Sequence, residues 1–134
     1  MAHIPENLRY AKSHEWARLE GETVVVGISD YAQKSLGDVV YVELPEIGES
    51  YEAGTPFGVV ESVKATSDIY APVGGTVLEV NEELGGDPSV VNQDPYGAGW
   101  IARFQVSDAA EYQALLDPVA YTAHVQEEEA KGGH

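Results

Sequence analysis

The sequence predicts a mainly β domain. It is a flattened barrel or sandwich of two quasi-repeated β half-units, with a short helix near residues 30–36 and helices at the C-terminal end. Three observations predict it. Short β-branched and apolar runs are punctuated by Gly, Pro and Asn-Glu turns. The pattern Gly-x-Val-x-x-Val occurs twice, at Gly37–Val42 and Gly75–Val80. A helical period enters at the end of the chain, after Ser107.

Taken in order, Thr23-Val24-Val25-Val26-Gly27-Ile28 is a β-branched strand. Ser29 or Asp30 caps a helix over 31–36, and Gly37 stands where a left-handed residue would end it. Val39 to Leu44 is a second strand, stopped by Pro45. Pro56 to Val63, Asp68 to Ala71, Thr76 to Val80 and Trp100 to Val106 are further strands. Each Gly-x-Val-x-x-Val copy is followed by turn-rich sequence and another apolar strand, so two β layers related by an approximate two-fold are expected. Asp108 and Glu111 have capping-box spacing ahead of Tyr112, Leu115 and Leu116. Asp117-Pro118 opens a last helix, with Val119, Ala120, Ala123 and His124 as its expected apolar face. One domain is expected over 1–126, with 127–134 as an acidic, solvated and frayed tail.

Composition narrows the function. With 134 residues and 43% hydrophobic content, the chain can bury one core. It carries 7 Lys+Arg against 23 Asp+Glu, a net charge of −16. Nucleic acid and anionic membranes are therefore poor partners, and no apolar run approaches the ~20 residues of a membrane span. The start of the chain lacks signal-peptide and transit-peptide signatures. Cysteine is absent, so disulfides, thiolate catalysis and Cys-based metal sites are excluded, and a cytoplasmic home is expected. No HExxH, GxSxG, P-loop or dinucleotide fingerprint occurs, and the four histidines are scattered. Neither catalytic residues nor a metal site is expected.

Between the half-units lies Glu61-Ser62-Val63-Lys64-Ala65-Thr66-Ser67-Asp68. Two strand-like arms flank a short polar stretch, which places Lys64 near an exposed hairpin tip. Lys64 is the only lysine between residues 35 and 130, and its nearby carboxylates are Glu61 and Asp68. Schiff-base catalysis wants a desolvated lysine with a lowered pKa, and a hairpin tip does not supply one. An amine that is solvated and available to a modifying enzyme fits the position better.

At these residues the sequence resembles the glycine cleavage system H protein family. Glu61 to Asp68, with Ala71-Pro72-Val73-Gly74-Gly75 after it, is similar to that family's lipoylation motif. Tyr10 with Ser13-His14-Glu15-Trp16, Gly27 to Gln33, Leu36 to Pro45 and Val91 to Trp100 resemble its other signatures, in order. The resemblance implies a lipoyl/biotinyl-like hybrid fold and a non-catalytic carrier with lipoate joined to Lys64. It implies four kinds of partner: a pyridoxal-phosphate glycine decarboxylase (P protein), a folate-dependent aminomethyltransferase (T protein), a dihydrolipoamide dehydrogenase (L protein) and lipoate-attaching enzymes. The carrier would shuttle the aminomethyl intermediate of glycine decarboxylation from the first enzyme to the second and be reoxidised by the third.

The resemblance also implies a cleft that shields the loaded arm, carried over to Ser13, His14, Glu15 and Asp68. Glu15 and Asp68 would hold a protonated amine, and Ser13 would add a hydrogen bond. Ser13 and Glu15 read equally as solvated groups at a strand end, and the commoner reading of His14 is a surface or packing histidine. Trp16 and Trp100 read as core, and Asp94-Pro95-Tyr96-Gly97 as a turn. A biotinyl domain would favour Met on both sides of the lysine, where Val63 and Ala65 stand. Lipoyl domains of 2-oxoacid dehydrogenases typically carry Asp before the lysine. An interaction module that takes no lipoyl group, and a further role in passing lipoyl groups to other proteins, remain alternatives.

Overall fold

The computed structural model describes residues 3–132. Among the described residues nine strands form, β1 (Arg9–Tyr10), β2 (Glu15–Glu20), β3 (Thr23–Ile28), β4 (Val39–Glu43), β5 (Ser50–Tyr51), β6 (Pro56–Ser62), β7 (Thr66–Tyr70), β8 (Gly75–Val80) and β9 (Ala102–Val106). The helices are α1 (Asp30–Leu36), α2 (Glu83–Gly86), α3 (Val90–Gln93), α4 (Ala109–Gln113) and α5 (Pro118–Gly132). A six-stranded sheet runs β1-β2-β3-β9-β8-β5, and a three-stranded sheet runs β4-β6-β7. Every pairing is antiparallel.

The two copies of the repeat occupy different sheets. β4 pairs with β6 and β8 with β9, so each copy pairs with the apolar strand that follows it. Each ladder shifts register at the equivalent position, between Val39 and Tyr41 in one and between Val77 and Glu79 in the other. The skipped residues, Val40 and Leu78, are both exposed, while Val39 and Val77 are buried. A bulge interrupts the two-residue alternation of faces, which is how two successive residues of an apolar pattern come to face solvent.

The main core fills the space between the sheets, with Val24, Val26, Val60, Ile69, Val77 and Phe104 at its centre. Strand β3 is apolar on both faces because both are covered. Val24 and Val26 point into that core, while Val25 joins Leu8, Tyr10, Trp16, Tyr121 and Val125 in a second cluster beneath α5. Trp16 pairs with Gly27 across β2 and β3. A Cβ on Gly27 would stand 2.6 Å from the indole, so the glycine leaves the space the ring occupies. Trp16 is wholly buried with its Nε1–H donating to Pro95 O, whereas Trp100 is only partly buried. The Asp94–Gly97 turn closes with Gly97 N–H donating to Asp94 O.

Two expectations for the C-terminal end are corrected. The inner face of α5 is Tyr121 and Val125, not Val119, Ala120 and Ala123; Val119 is 81% exposed. Residues 121, 124, 125 and 128 recur at helical spacing, and Tyr121 supplies more apolar surface than the alanines. Residues 127–132, read as part of a solvated tail, continue the helix, and residues 133–134 of that tail lie outside the described residues. Glu128 is held there by two histidines. At α4, Asp108 caps through Ala110 N–H as its position predicts, but Glu111 does not close a capping box and accepts from Gly74 N–H instead.

Candidate functional site

Strands β6 and β7 form a hairpin whose tip is Val63-Lys64-Ala65, with Glu61 opposite Thr66. Ser62 N–H donates to Ala65 O at 2.7 Å, and Ser62 Oγ lies 3.3 Å from Lys64 N and 3.1 Å from Ala65 N. Val63 N–H donates to Asp38 O at 3.0 Å, tying the tip to the turn before β4. Each amide of the tip therefore has a partner, and the three-residue loop is stiff although it is exposed. Lys64 is exposed, and among the described residues no carboxylate lies within ion-pair distance of its Nζ. The expected neighbours Glu61 and Asp68 thus leave the amine free.

The stem of Lys64 runs over Gly37. A Cβ on that glycine would sit 3.5 Å from Lys64 Cε. Gly37 has φ 80° and ψ −156°, a conformation essentially restricted to glycine, and it ends α1 as its position predicts. The last residues of α1 before it, Ser35 and Leu36, line a cleft of about 270 Å³.

That cleft gathers all four residues carried over from the resemblance: Ser13, His14, Glu15 and Asp68. Ile28, Val60 and Ile69 form an apolar floor, Tyr31 and Ala32 a wall, and Ser67 and Glu128 complete the rim. Asp68 is exposed, so its carboxylate keeps its water. Glu15 is 2% exposed, accepts from Ser13 Oγ–H through Oε1 and from Tyr70 N–H at 3.0 Å through Oε2. Burial pushes its pKa up to about 7, with the Ser13 and Tyr70 hydrogen bonds opposing the shift.

His14 is the one non-glycine residue with positive φ among the described residues, at 80°. Its backbone is pinned on both sides, N–H to Ala11 O and O from Ser29 N–H. Its ring nitrogens meet Tyr121 Oη and Glu128 Oε1, each at 2.8 Å. Tyr121 Oη also lies 2.7 Å from Ser29 Oγ, the hydroxyl that caps α1. One tyrosine of α5 therefore connects the helix cap to the cleft rim. Burial lowers the pKa of His14 and raises that of Tyr121. His14 is thus both a packing residue and a cleft residue.

The sequence reading did not place Tyr31, Tyr121 or Glu128 at the site. Tyr31 follows the recognised cap Ser29-Asp30, so its place on the first turn of α1 was available. Tyr121 and Glu128 share a helix face with His124; the solvated-tail reading of the last eight residues hid Glu128, and the expected face of Val119, Ala120 and Ala123 hid Tyr121.

The two sheets, without a closed barrel, and the presented hairpin define the class: a barrel-sandwich hybrid domain. Comparison with known proteins narrows it. The family model described as "Glycine cleavage H-protein" matches residues 8–128, and the chain belongs to that family. A glycine cleavage system H protein of Rubrobacter xylanophilus is 54% identical over 129 residues, covering 96% of this chain and 100% of its own. One from Anaeromyxobacter sp. (strain K) is 52% identical over 126 residues, covering 94% and 98%. The crystal structure of a glycine cleavage system H protein from Mycobacterium marinum superposes with a TM-score of 0.80 at 37% identity, covering 98% of this chain and 100% of that one. No helix among the described residues is long and apolar enough to cross a membrane.

Proposed function

We propose that this chain is the lipoyl-bearing carrier of a glycine cleavage system, with lipoate joined to Lys64. It would exchange its cargo with a pyridoxal-phosphate glycine decarboxylase, a folate-dependent aminomethyltransferase and a dihydrolipoamide dehydrogenase. The observation that carries the reading is a lysine on a stiff tip with no ion-pair partner among the described residues, its stem passing over Gly37 beside an acidic cleft. The chain itself performs no catalysis, since the hard chemistry belongs to cofactors on the partners. The cysteine-free sequence fits a cytoplasmic setting and leaves no protein thiol to exchange with a lipoyl disulfide.

The residues present suit such a group. Lys64 and Asp68 are four residues apart in one hairpin, about 13 Å at strand rise. A lipoylated lysine reaches on the order of 10–15 Å, so the arm can fold back to the cleft. The apolar floor suits a hydrocarbon arm. The cleft is lined by Glu15, Asp68 and Glu128 and by no lysine or arginine, which favours a protonated amine at the arm's end. When bound, lipoate supplies a redox-active dithiolane that can carry a one-carbon unit.

The test is peptide mass spectrometry of natively expressed protein. The expected result is a lipoyl mass on the peptide containing Lys64 and none in Lys64→Arg, which keeps the charge and lacks an acylable amine. Modification at Lys12, Lys34 or Lys131 with Lys64 bare would overturn the proposal. Glu15→Ala and Asp68→Ala are expected to speed hydrolysis of the loaded arm, and unchanged rates would sink the cleft assignment.

A further inference from the structure

We propose that the free end of the cleft is a divalent-metal site, with Zn²⁺ as its natural occupant, formed by His14, His124 and Glu128. One ligand atom from each lies within 4.8 Å of the other two. His14 Nε2 is 2.8 Å from Glu128 Oε1, and His124 Nε2 is 3.0 Å from Glu128 Oε2. Tetrahedral coordination with bonds of ~2.1 Å separates ligand atoms by about 3.4 Å, a little more than the two histidine–carboxylate contacts and inside the 4.8 Å that bounds all three. Seating an ion therefore needs side-chain adjustments of around an ångström.

The ligands come from two elements that the fold has already locked together. His124 and Glu128 are one helical turn apart on α5, and His14 stands in the pinned loop before β2. The two imidazoles stack with centroids 5.3 Å apart and planes 27° from parallel, so both Nε2 atoms approach the same carboxylate.

His14 is already held in orientation by its own hydrogen-bond partners. Its Nδ1 faces Tyr121 Oη, which in turn faces the buried Ser29 Oγ. With the proton on Nδ1 donated to Tyr121, Nε2 presents its lone pair, the tautomer a metal requires. His124 Nε2 now contacts Lys12 O at 2.9 Å and would give up that contact for the ion. The three side chains are 14%, 20% and 39% exposed, partly shielded yet reachable from solvent.

Two imidazoles and a carboxylate form a donor set for zinc or a neighbouring first-row divalent ion, and not for Mg²⁺ or Ca²⁺, which prefer all-oxygen shells. Three protein ligands leave at least one position for water or for a ligand entering the cleft. His14 and Glu128 line that cleft. The ion would staple α5 to the cleft rim.

The proposal is tested on the full chain without any group on Lys64, by isothermal titration with ZnCl₂ in a non-chelating buffer. One Zn²⁺ per chain is expected, with affinity falling at least tenfold in His124→Asn and in Glu128→Gln while circular dichroism stays unchanged. Should either variant unfold, imidazole nitrogen NMR on the unmutated chain decides: Zn²⁺ should shift the His14 and His124 Nε2 signals and leave His3 in place. Absence of saturable binding, unchanged affinity in a folded variant, or shifts confined to other histidines would overturn it.

Discussion

Gly37 and Gly75 open the same six-residue pattern, lead into strands with the same bulge, and are glycine for different reasons. Gly37 turns the chain at φ 80° and lets the Lys64 stem pass above it. Gly75 is buried at the start of β8, where an added Cβ would stand 2.2 Å from Gln105 O on the partner strand. The loops leaving the two half-units diverge in the same way. The first continues through β6 into the Lys64 tip, while the second passes through α2 and α3 before reaching β9. A duplicated scaffold can thus be structural in one copy and presenting in the other, and the difference is set by what the chain places beside the glycine.

Gly75→Ala should separate the copies most sharply. The added methyl meets backbone, which cannot rotate away, so urea unfolding should show a loss of about 3 kcal/mol or more. A loss under about 1 kcal/mol would mean the β8–β9 ladder spreads to admit it.

Glu15→Gln probes how the first half-unit is tied to β2 through Tyr70. The fold raises the Glu15 pKa from an ordinary value near 4.5 to about 7. Between those values the folded chain holds more protons than the unfolded one, so this group costs stability as pH rises. The full effect is about 3 kcal/mol, absent below pH 4.5 and complete above pH 7. Relative to the unmutated chain, Glu15→Gln should therefore gain stability from pH 5 to pH 8, measured with a chelator present. A difference that does not change with pH would contradict the burial argument.

Gly37→Ala should cost about 1–3 kcal/mol for the disallowed conformation. The space above it offers ordinary contact, so the loss should fall below that of Gly75→Ala. An equal loss would erase the distinction. Ser62→Ala is the smallest change, about 1 kcal/mol, read as faster amide exchange at Lys64 and Ala65 with the rest of the hairpin protected.

Much of this was legible in the sequence because it is local. The β-branched run of β3, the Ser29 cap and the stop at Gly37 each declare themselves within a few residues. The paired half-units were legible from the repeat, although the matching bulges at Val40 and Leu78 were not, since a register shift depends on the partner strand. Lys64 at a tip follows from its two flanking strands. The short strands β1 and β5 escaped because two residues carry no period. Glu111 was misread because its partner, Gly74, lies 37 residues away. The contacts of Tyr121 and Glu128 with His14 escaped for the same reason, being more than 100 residues distant in the chain.

The hydrogen-bonded tip has a kinetic consequence. Because its root does not wander, anything tethered to Lys64 explores roughly a hemisphere of ~15 Å radius. One molecule in that volume corresponds to an effective concentration on the order of 0.1 M at any surface the hairpin touches. For a carrier of the kind proposed, docking, and not search by the tether, would then set the pace of each hand-over.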